Sequence, residues 1–433
     1  MLNIIEKILC HFESCFSRKA AFRWFVIIIT GLMLRSDKLG VTSILRDLAL
    51  APGCYDSMLH FFRASSWSLE DIRKRWFSAV RLYAPLYKEG NFHVLVGDGV
   101  KQSKEGRRMP GVKKLFQESE NSAKPEYMHG HMFGGLGILA GNFRSWACIP
   151  LSIRLHDGLQ AAREWKGASV STASHVVQMV EDSYHAALTF GDSLLLLDRY
   201  FLTVPALEKL RELNNSGKVH MEIVTKAKKS CTAFQKPGPR KPGRGRPPKK
   251  GDAVHLKGLF ASHKEQFMET ETELYGKKKT IRYYSIDLLW GQKLYQELRF
   301  VLVEMDGIQS ILASTSLALD PLSIIRLYSY RFRIECTFRE LKQQTGAFCY
   351  HFWSKHMPKL SYYQKKGEPT PLERVEDERS RKKILKTVRA IEVHMELSCI
   401  AMGILQTLSI RFIGKVCSSQ IRYQRTPSKG RVS

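Results

Sequence analysis

"SLLLLD", residues 193–198, is four leucines in a row closed by a carboxylate. A short apolar run bounded by turn signals reads as a strand buried on both faces. Upstream, "FHVLVGD" at 92–98 has the same form, a β-type run ending in an acid. "GHMFGGLGILAG" and "SWACIPLSIRL" follow it as strands, and a helix is predicted over about 170–188. After "SLLLLD" come a helix near 204–213 and the strand "KVHMEIVTKA". Strands first, then strand and helix in alternation, predict an α/β domain with a mixed sheet.

Further out the pattern changes. Residues 229 to about 250, within "KKSCTAFQKPGPRKPGRGRPPKKG" (228–251), are rich in Pro, Gly and cations and carry no period, which predicts an extended loop. Strand-like runs resume at 278–290, 298–306 and 311–316. Asp320-Pro321 then opens a helix as cap and first-turn residue, and "IIRLYSYRFRIECTFRELK" (324–342) continues it. A polar connector leads to a long helix over 384–413. Residues 1–90 read as helices, with Ser68 and Asp71 forming a near capping box ahead of "LEDIRKRWFSAVRLY". The division this predicts is a helical, basic segment (1–90) that reads as a DNA-binding module or as a packing cap, a core in two parts (91–228 and 311–355), a β-rich insertion (229–310) and a helical C-terminal region (356–433).

The chain has 433 residues, with 68 Lys+Arg against 41 Asp+Glu, a net charge of +27. An excess this large, spread along the chain, suits a long path for a polyanion, because each phosphate neutralised releases counterions. A cationic surface kept for solubility is the plainer alternative. The nine cysteines form no CxxC pair and no zinc-ligand spacing, which predicts reduced thiols in a cytoplasmic protein. The most apolar run, "WFVIIITGLML" at 24–34, is shorter than the ~20 residues a bilayer span needs, so no membrane partner is expected.

Read as one continuous helix, 324–342 brings Tyr328, Arg331, Glu335 and Lys342 into an arc of roughly 60°. Glu340 then projects about 140° from Glu335 and faces solvent. Asp98, Asp198 and Glu335 are carboxylates from distant parts of a basic chain. Converging, they can hold two Mg²⁺ ions, which prefer oxygen ligands and promote in-line attack on a phosphodiester. Each acid also has a plainer role: a turn cap at Asp98, a pair with Arg199 at Asp198, and an i,i+4 pair with Arg339 at Glu335.

The spacing Tyr328, two residues, Arg331, three, Glu335, six, Lys342 matches the Y-R-E-K signature of bacterial insertion-sequence transposases of the DDE type. "VLVGDGVKQSKEG" and "LLLLDRYFLTVPAL" resemble the two aspartate regions of that family, and the resemblance covers roughly 40–415. It implies an RNase H-like catalytic core, a mixed β-sheet with flanking helices, interrupted by the β-rich insertion. Asp98, Asp198 and Glu335 become the catalytic, metal-binding acids for two Mg²⁺ ions, with Mn²⁺ as a substitute. Tyr328, Arg331 and Lys342 become grips on DNA phosphates. The family's chemistry is cut-and-paste transposition through a hairpin, on double-stranded element ends and target DNA. It implies a homodimer in the synaptic complex and a nucleoid-associated location in bacteria. Trp290 is placed to stack on a flipped base, with a core Trp as the alternative. Arg244 and Arg246 lie in "RGRP", which resembles an AT-hook core, a minor-groove reader; a generic phosphate-binding loop reads equally well. A catalytically inactive DNA-binding relative acting as a repressor, and a metal-dependent nuclease without strand transfer, are the competing functions.

Overall fold

The computed structural model describes residues 1–37, 40–64, 66–117, 125–142, 145–165, 174–239, 247–363 and 368–412. In chain order the elements are α1 (Leu2–Cys10), α2 (Lys19–Leu34), α3 (Thr42–Asp47), α4 (Cys54–Arg63), α5 (Leu69–Tyr83), β1 (Lys88–Glu89), β2 (Phe92–Ser103), β3 (Lys113–Phe116), β4 (Tyr127–Asn142) and β5 (Ser145–Leu155). Then come α6 (Gln160–Glu164), α7 (His175–Phe190), β6 (Ser193–Leu196), α8 (Val204–Asn214), β7 (Met221–Ala227), β8 (Thr232–Phe234), β9 (Ala253–His255), α9 (Leu259–Ser262), β10 (Met268–Leu274) and β11 (Lys277–Trp290). The last elements are β12 (Gln296–Met305), β13 (Ile308–Ser314), α10 (Pro321–Tyr330), α11 (Arg333–Gln343) and α12 (Glu378–Arg411). The chain forms two compact units: Met1–Tyr87, Gly99–His175 and Glu335–Ser433 make the first, Lys88–Asp98 and Val176–Ile334 the second.

The second unit is a mixed sheet with helices packed on it, as the alternating pattern predicts. The first part of β2 pairs in parallel with β6, and β6 in parallel with β7. From β7 the sheet turns antiparallel through β13, β12 and β11, with β10 and β8 on β11 and β9 on β8. The stretch 229–310 therefore adds its strands to the sheet that holds β6 and β7. The β6 residues Leu194, Leu195 and Leu196 are fully buried, as expected for a strand covered on both faces. Helix α8 begins at a Thr203 cap, whose hydroxyl accepts from the Ala206 N–H, followed by Pro205 in the first turn. Helix α10 begins the same way: the Asp320 carboxylate accepts from the Ser323 N–H at 3.1 Å, and Pro321 is its first residue.

In the first unit β3, β4 and β5 form an antiparallel ladder. Its helices gather on α12, which packs against α2, α4, α5 and β5. The Ser68 hydroxyl caps α5 by accepting from the Asp71 N–H, as the sequence predicts. By length and apolar composition α12 qualifies as a membrane span, but 89% of its most apolar window is buried inside the protein. It is a core helix, apolar on most sides because it has partners on most sides. None of the eight described cysteines is in a disulfide.

The 324–342 stretch departs from the single helix expected of it. Helix α10 ends at Tyr330, the chain turns at Arg331 and Phe332, and α11 starts at Arg333. The four Y-R-E-K residues thus do not share one helical face. The outward side of α11 also differs: Glu340 is half-buried and accepts from the Gln406 side chain of α12 at 2.8 Å. A helical wheel gives angles between side chains, and only the neighbouring helix decides which angle faces water.

Candidate active site

The parallel register of the second unit determines the site. His93 to Val96 of β2 lie opposite Ser193 to Leu196 of β6, and Ser193 to Leu196 lie opposite Met221 to Val224 of β7. Two residues further along each chain are Asp98, Asp198 and Lys226. Side chains two apart on a strand share a face, so these three form one row across adjacent strands. Beyond β6 the backbone stays extended to that row: the Leu197 N–H donates to the Val224 carbonyl, and Asp198 has φ −76° and ψ 166°. The Thr225 hydroxyl donates to the Asp198 carbonyl at 2.9 Å and pins the strand end. Neighbouring strands lie about 4.8 Å apart, so the two carboxylates are near neighbours.

Asp98 is not at a strand end, as "FHVLVGD" suggests, because β2 runs on to Ser103. The turn-cap alternative for it is thereby removed. Gly97 precedes it, and a Cβ there would meet Met179 Sδ at 2.7 Å and Leu197 Cδ2 at 2.8 Å. The glycine lets α7 and β6 close on the strand beside the acid. Asp198 opens a single 3₁₀ turn, Arg199–Phe201, without capping it through its side chain. Among the described residues its carboxylate forms no ion pair, with Arg199 or any other cation.

Helix α10 and the turn after it bring a cation and a hydroxyl. Arg331 donates to Asp98 Oδ2 at 3.1 Å, and both side chains are largely buried. Tyr328 is half-buried, and burial first, then the Asp198, Tyr275 and Asp98 charges, push its hydroxyl pKa well up; Arg331 opposes them. It stays a hydroxyl at neutral pH, a hydrogen-bond donor. Lys226 is half-buried as well. Burial lowers its pKa first, Asp198 raises it, and Arg199, Lys229 and Arg331 lower it. Lys226 is the site residue that sequence reading missed.

The remaining predicted residues lie on other elements. Glu335 is exposed in the first turn of α11, within the first unit. That helix is held there by Thr337, whose hydroxyl donates to the Cys148 carbonyl at 2.6 Å, and by Phe338, whose ring lies 2.5 Å from where a Gly135 Cβ would stand. Lys342 is half-buried, 5.3 Å from the centre of the Phe348 ring, and burial lowers its pKa. Trp290, at the end of β11, is half-buried. Arg244 and Arg246 lie outside the described residues.

Among the described residues no group of three or more His, Cys, Asp and Glu is gathered so as to hold a metal ion. The structure does assemble a pair of hard oxygen donors, Asp98 and Asp198, in one row. That donor type fits a divalent cation such as Mg²⁺. Arg331 already partly neutralises Asp98, so a cation must compete with the guanidinium for that carboxylate.

A family model described as DDE superfamily endonuclease matches residues 11–284. The chain belongs to this family. No curated protein matched it. DDE superfamily endonucleases are transposase-like nucleases acting on DNA, typically with divalent metal ions. The DDE match takes in both strand-borne aspartates and ends before the helix that carries Glu335.

Proposed function

We propose that this DDE endonuclease is a transposase, cutting the ends of an insertion sequence and joining them to target DNA, with a hairpin as intermediate. The observation that carries the reading is the row formed by Asp98 and Asp198 on adjacent parallel strands, with Arg331 and Tyr328 brought over it by α10. The net charge of +27 supports a long DNA path.

Asp98 and Asp198 would hold the metal in this reading, Mg²⁺ with Mn²⁺ as substitute, with Glu335 as the third acid that the resemblance supplies. When bound, the paired ions activate a water or 3′-hydroxyl and stabilise the leaving oxygen. Arg331 swings from Asp98 to a phosphate of the scissile strand, trading one anionic partner for another. Tyr328 donates a hydrogen bond to the same backbone, and Lys226 adds a point charge from the neighbouring strand. Lys342 and the 243–251 segment with Arg244 and Arg246 extend the phosphate contacts, and Trp290 stacks on a flipped base at the hairpin step. The helical segment 1–90 binds the element end, and two copies meet in the synaptic complex on the bacterial nucleoid.

The test is cleavage of duplexes carrying the ends of the DNA segment that encodes the protein, with Mg²⁺ or Mn²⁺. Asp98→Ala, Asp198→Ala and Glu335→Ala are expected to abolish cleavage while retaining duplex binding. Fe²⁺ loaded in place of Mg²⁺, with hydrogen peroxide as oxidant and ascorbate to re-reduce the iron, should cut the polypeptide by local hydroxyl-radical chemistry near Asp98 and Asp198. A wild-type protein that binds the ends, never nicks them and shows no such backbone cutting favours the repressor reading, which the Arg331–Asp98 pair supports. Nicking without joining leaves a nuclease.

A further inference from the structure

In the first unit, β3 and β4 carry an exposed aromatic face. Lys114 pairs with His129 and Phe116 with Tyr127, so these four side chains stand on one side of the ladder. Phe116 is 46% exposed and Tyr127 44%. Their rings meet edge to face at 5.5 Å, and Lys114 Nζ lies 4.4 Å above the Tyr127 ring. Next to them the His129 ring lies 4.3 Å from Tyr362, and the Arg107 guanidinium 4.6 Å above Tyr362. From β2, Lys101 Nζ donates to the Phe116 carbonyl at 2.8 Å, which ties a further cation to the edge of the face.

Edge strands are normally defended by charge, and Lys113 and Lys114 fit that role. The two open aromatic rings do not, since exposed rings on an edge invite pairing and gain nothing from water. Three exposed cations, Lys101, Arg107 and Lys114, stand by the aromatic rings of this face, and among the described residues the exposed acids nearby in sequence are Glu105 and Glu126. Aromatic faces framed by cations are how proteins take single-stranded nucleic acid: bases stack on the rings and the backbone follows the charges.

We propose that the β3–β4 face binds single-stranded DNA, with bases stacked on Phe116 and Tyr127 and phosphates along Lys101, Arg107 and Lys114. The proposal rests on the DNA-processing reading and adds a station for an unpaired strand. Duplex DNA hides the faces of its bases, whereas a strand released during end processing exposes them.

The experiment is fluorescence anisotropy with a labelled oligothymidine of about 20 nucleotides, on the full chain in EDTA. Phe116→Ala/Tyr127→Ala should weaken binding about tenfold or more, with an unchanged melting temperature. Phe116→Tyr and Tyr127→Phe should retain it. An abasic oligonucleotide of the same length should bind both proteins equally, since it offers no base to stack. Unchanged oligothymidine affinity in the double variant overturns the proposal. So does an equal loss on the abasic strand, or a shift in sedimentation mass without loss of affinity, which would mark the face as a contact between copies. Asp98→Ala/Asp198→Ala protein should bind oligothymidine like wild type, so a failed cleavage assay and a failed stacking assay remain distinguishable.

Discussion

Lys226 shows what a single residue's place in a sheet can decide. In "MEIVTKAKKS" it is one lysine among three, with nothing to set it apart. Only the β6–β7 register puts it beside Asp198. The aspartates were legible because each follows an uninterrupted apolar run, a pattern local in sequence. Lys226→Met is expected to lower strand cleavage by about 10²-fold, the cost of one lost charge-stabilising donor, while duplex binding measured by mobility shift persists. Arg331 has a second role visible only in three dimensions, as counter-ion to Asp98. Removing an opposite charge from a carboxylate leaves it more available to another cation. Arg331→Met should therefore bind Mn²⁺ more tightly than wild type in calorimetry without DNA. Weaker or equal binding would mean that the guanidinium and the metal do not compete for Asp98.

At the scale of elements, periodicity and caps located the strands and helices well. Asp320-Pro321 and Ser68 start helices as their chemistry requires. The break at Arg331 and Phe332 was not legible, since no Pro or Gly marks it and the apolar spacing on either side fits one helix. Glu340 was assigned to solvent for lack of any view of α12, where Gln406 meets it. Helix α12 also explains a glycine that propensity would replace. A Cβ at Gly403 would lie 2.3 Å from the Trp76 ring, which is 1% exposed and donates to the Pro150 carbonyl at 2.9 Å. Gly to Ala in a helix ordinarily gains about 1 kcal/mol, but displacing a rigid buried ring costs about 1–3 kcal/mol. Gly403→Ala should lower the melting temperature, and a rise on calorimetry would show that the ring yields.

For the whole molecule, buried titratable groups set the response to acid. His131 and His394 are buried in the first unit, and desolvation holds each pKa down at about 3. The unfolded chain, with histidines near 6.5, takes up those protons first, so stability falls as pH drops below about 6.5 and keeps falling toward 3. Glu396 has the opposite sign. Burial raises its pKa to about 7 despite the Arg73 guanidinium 3.1 Å away. The folded state holds that proton more tightly, so its contribution is full below about 4.5 and is lost as pH rises toward 7. Two histidines outweigh one glutamate between pH 4.5 and 6.5, and the melting temperature should fall on acidification through that window. His394→Leu should flatten the fall and Glu396→Gln should steepen it; parallel curves for all three proteins would remove these groups as the cause. None of this was legible beforehand, because histidine burial depends on which elements close over it.

The position of α12 late in the chain has a consequence during synthesis. Helices α2, α4 and α5, which end by Tyr83, are made well before the helix they pack against, which starts at Glu378. At about 5–20 residues per second, the early helices wait on the order of tens of seconds with their apolar faces open. The nascent chain should therefore bind holdase chaperones until α12 emerges, and a product shortened ahead of residue 378 should be recovered as aggregate or proteolysed fragment.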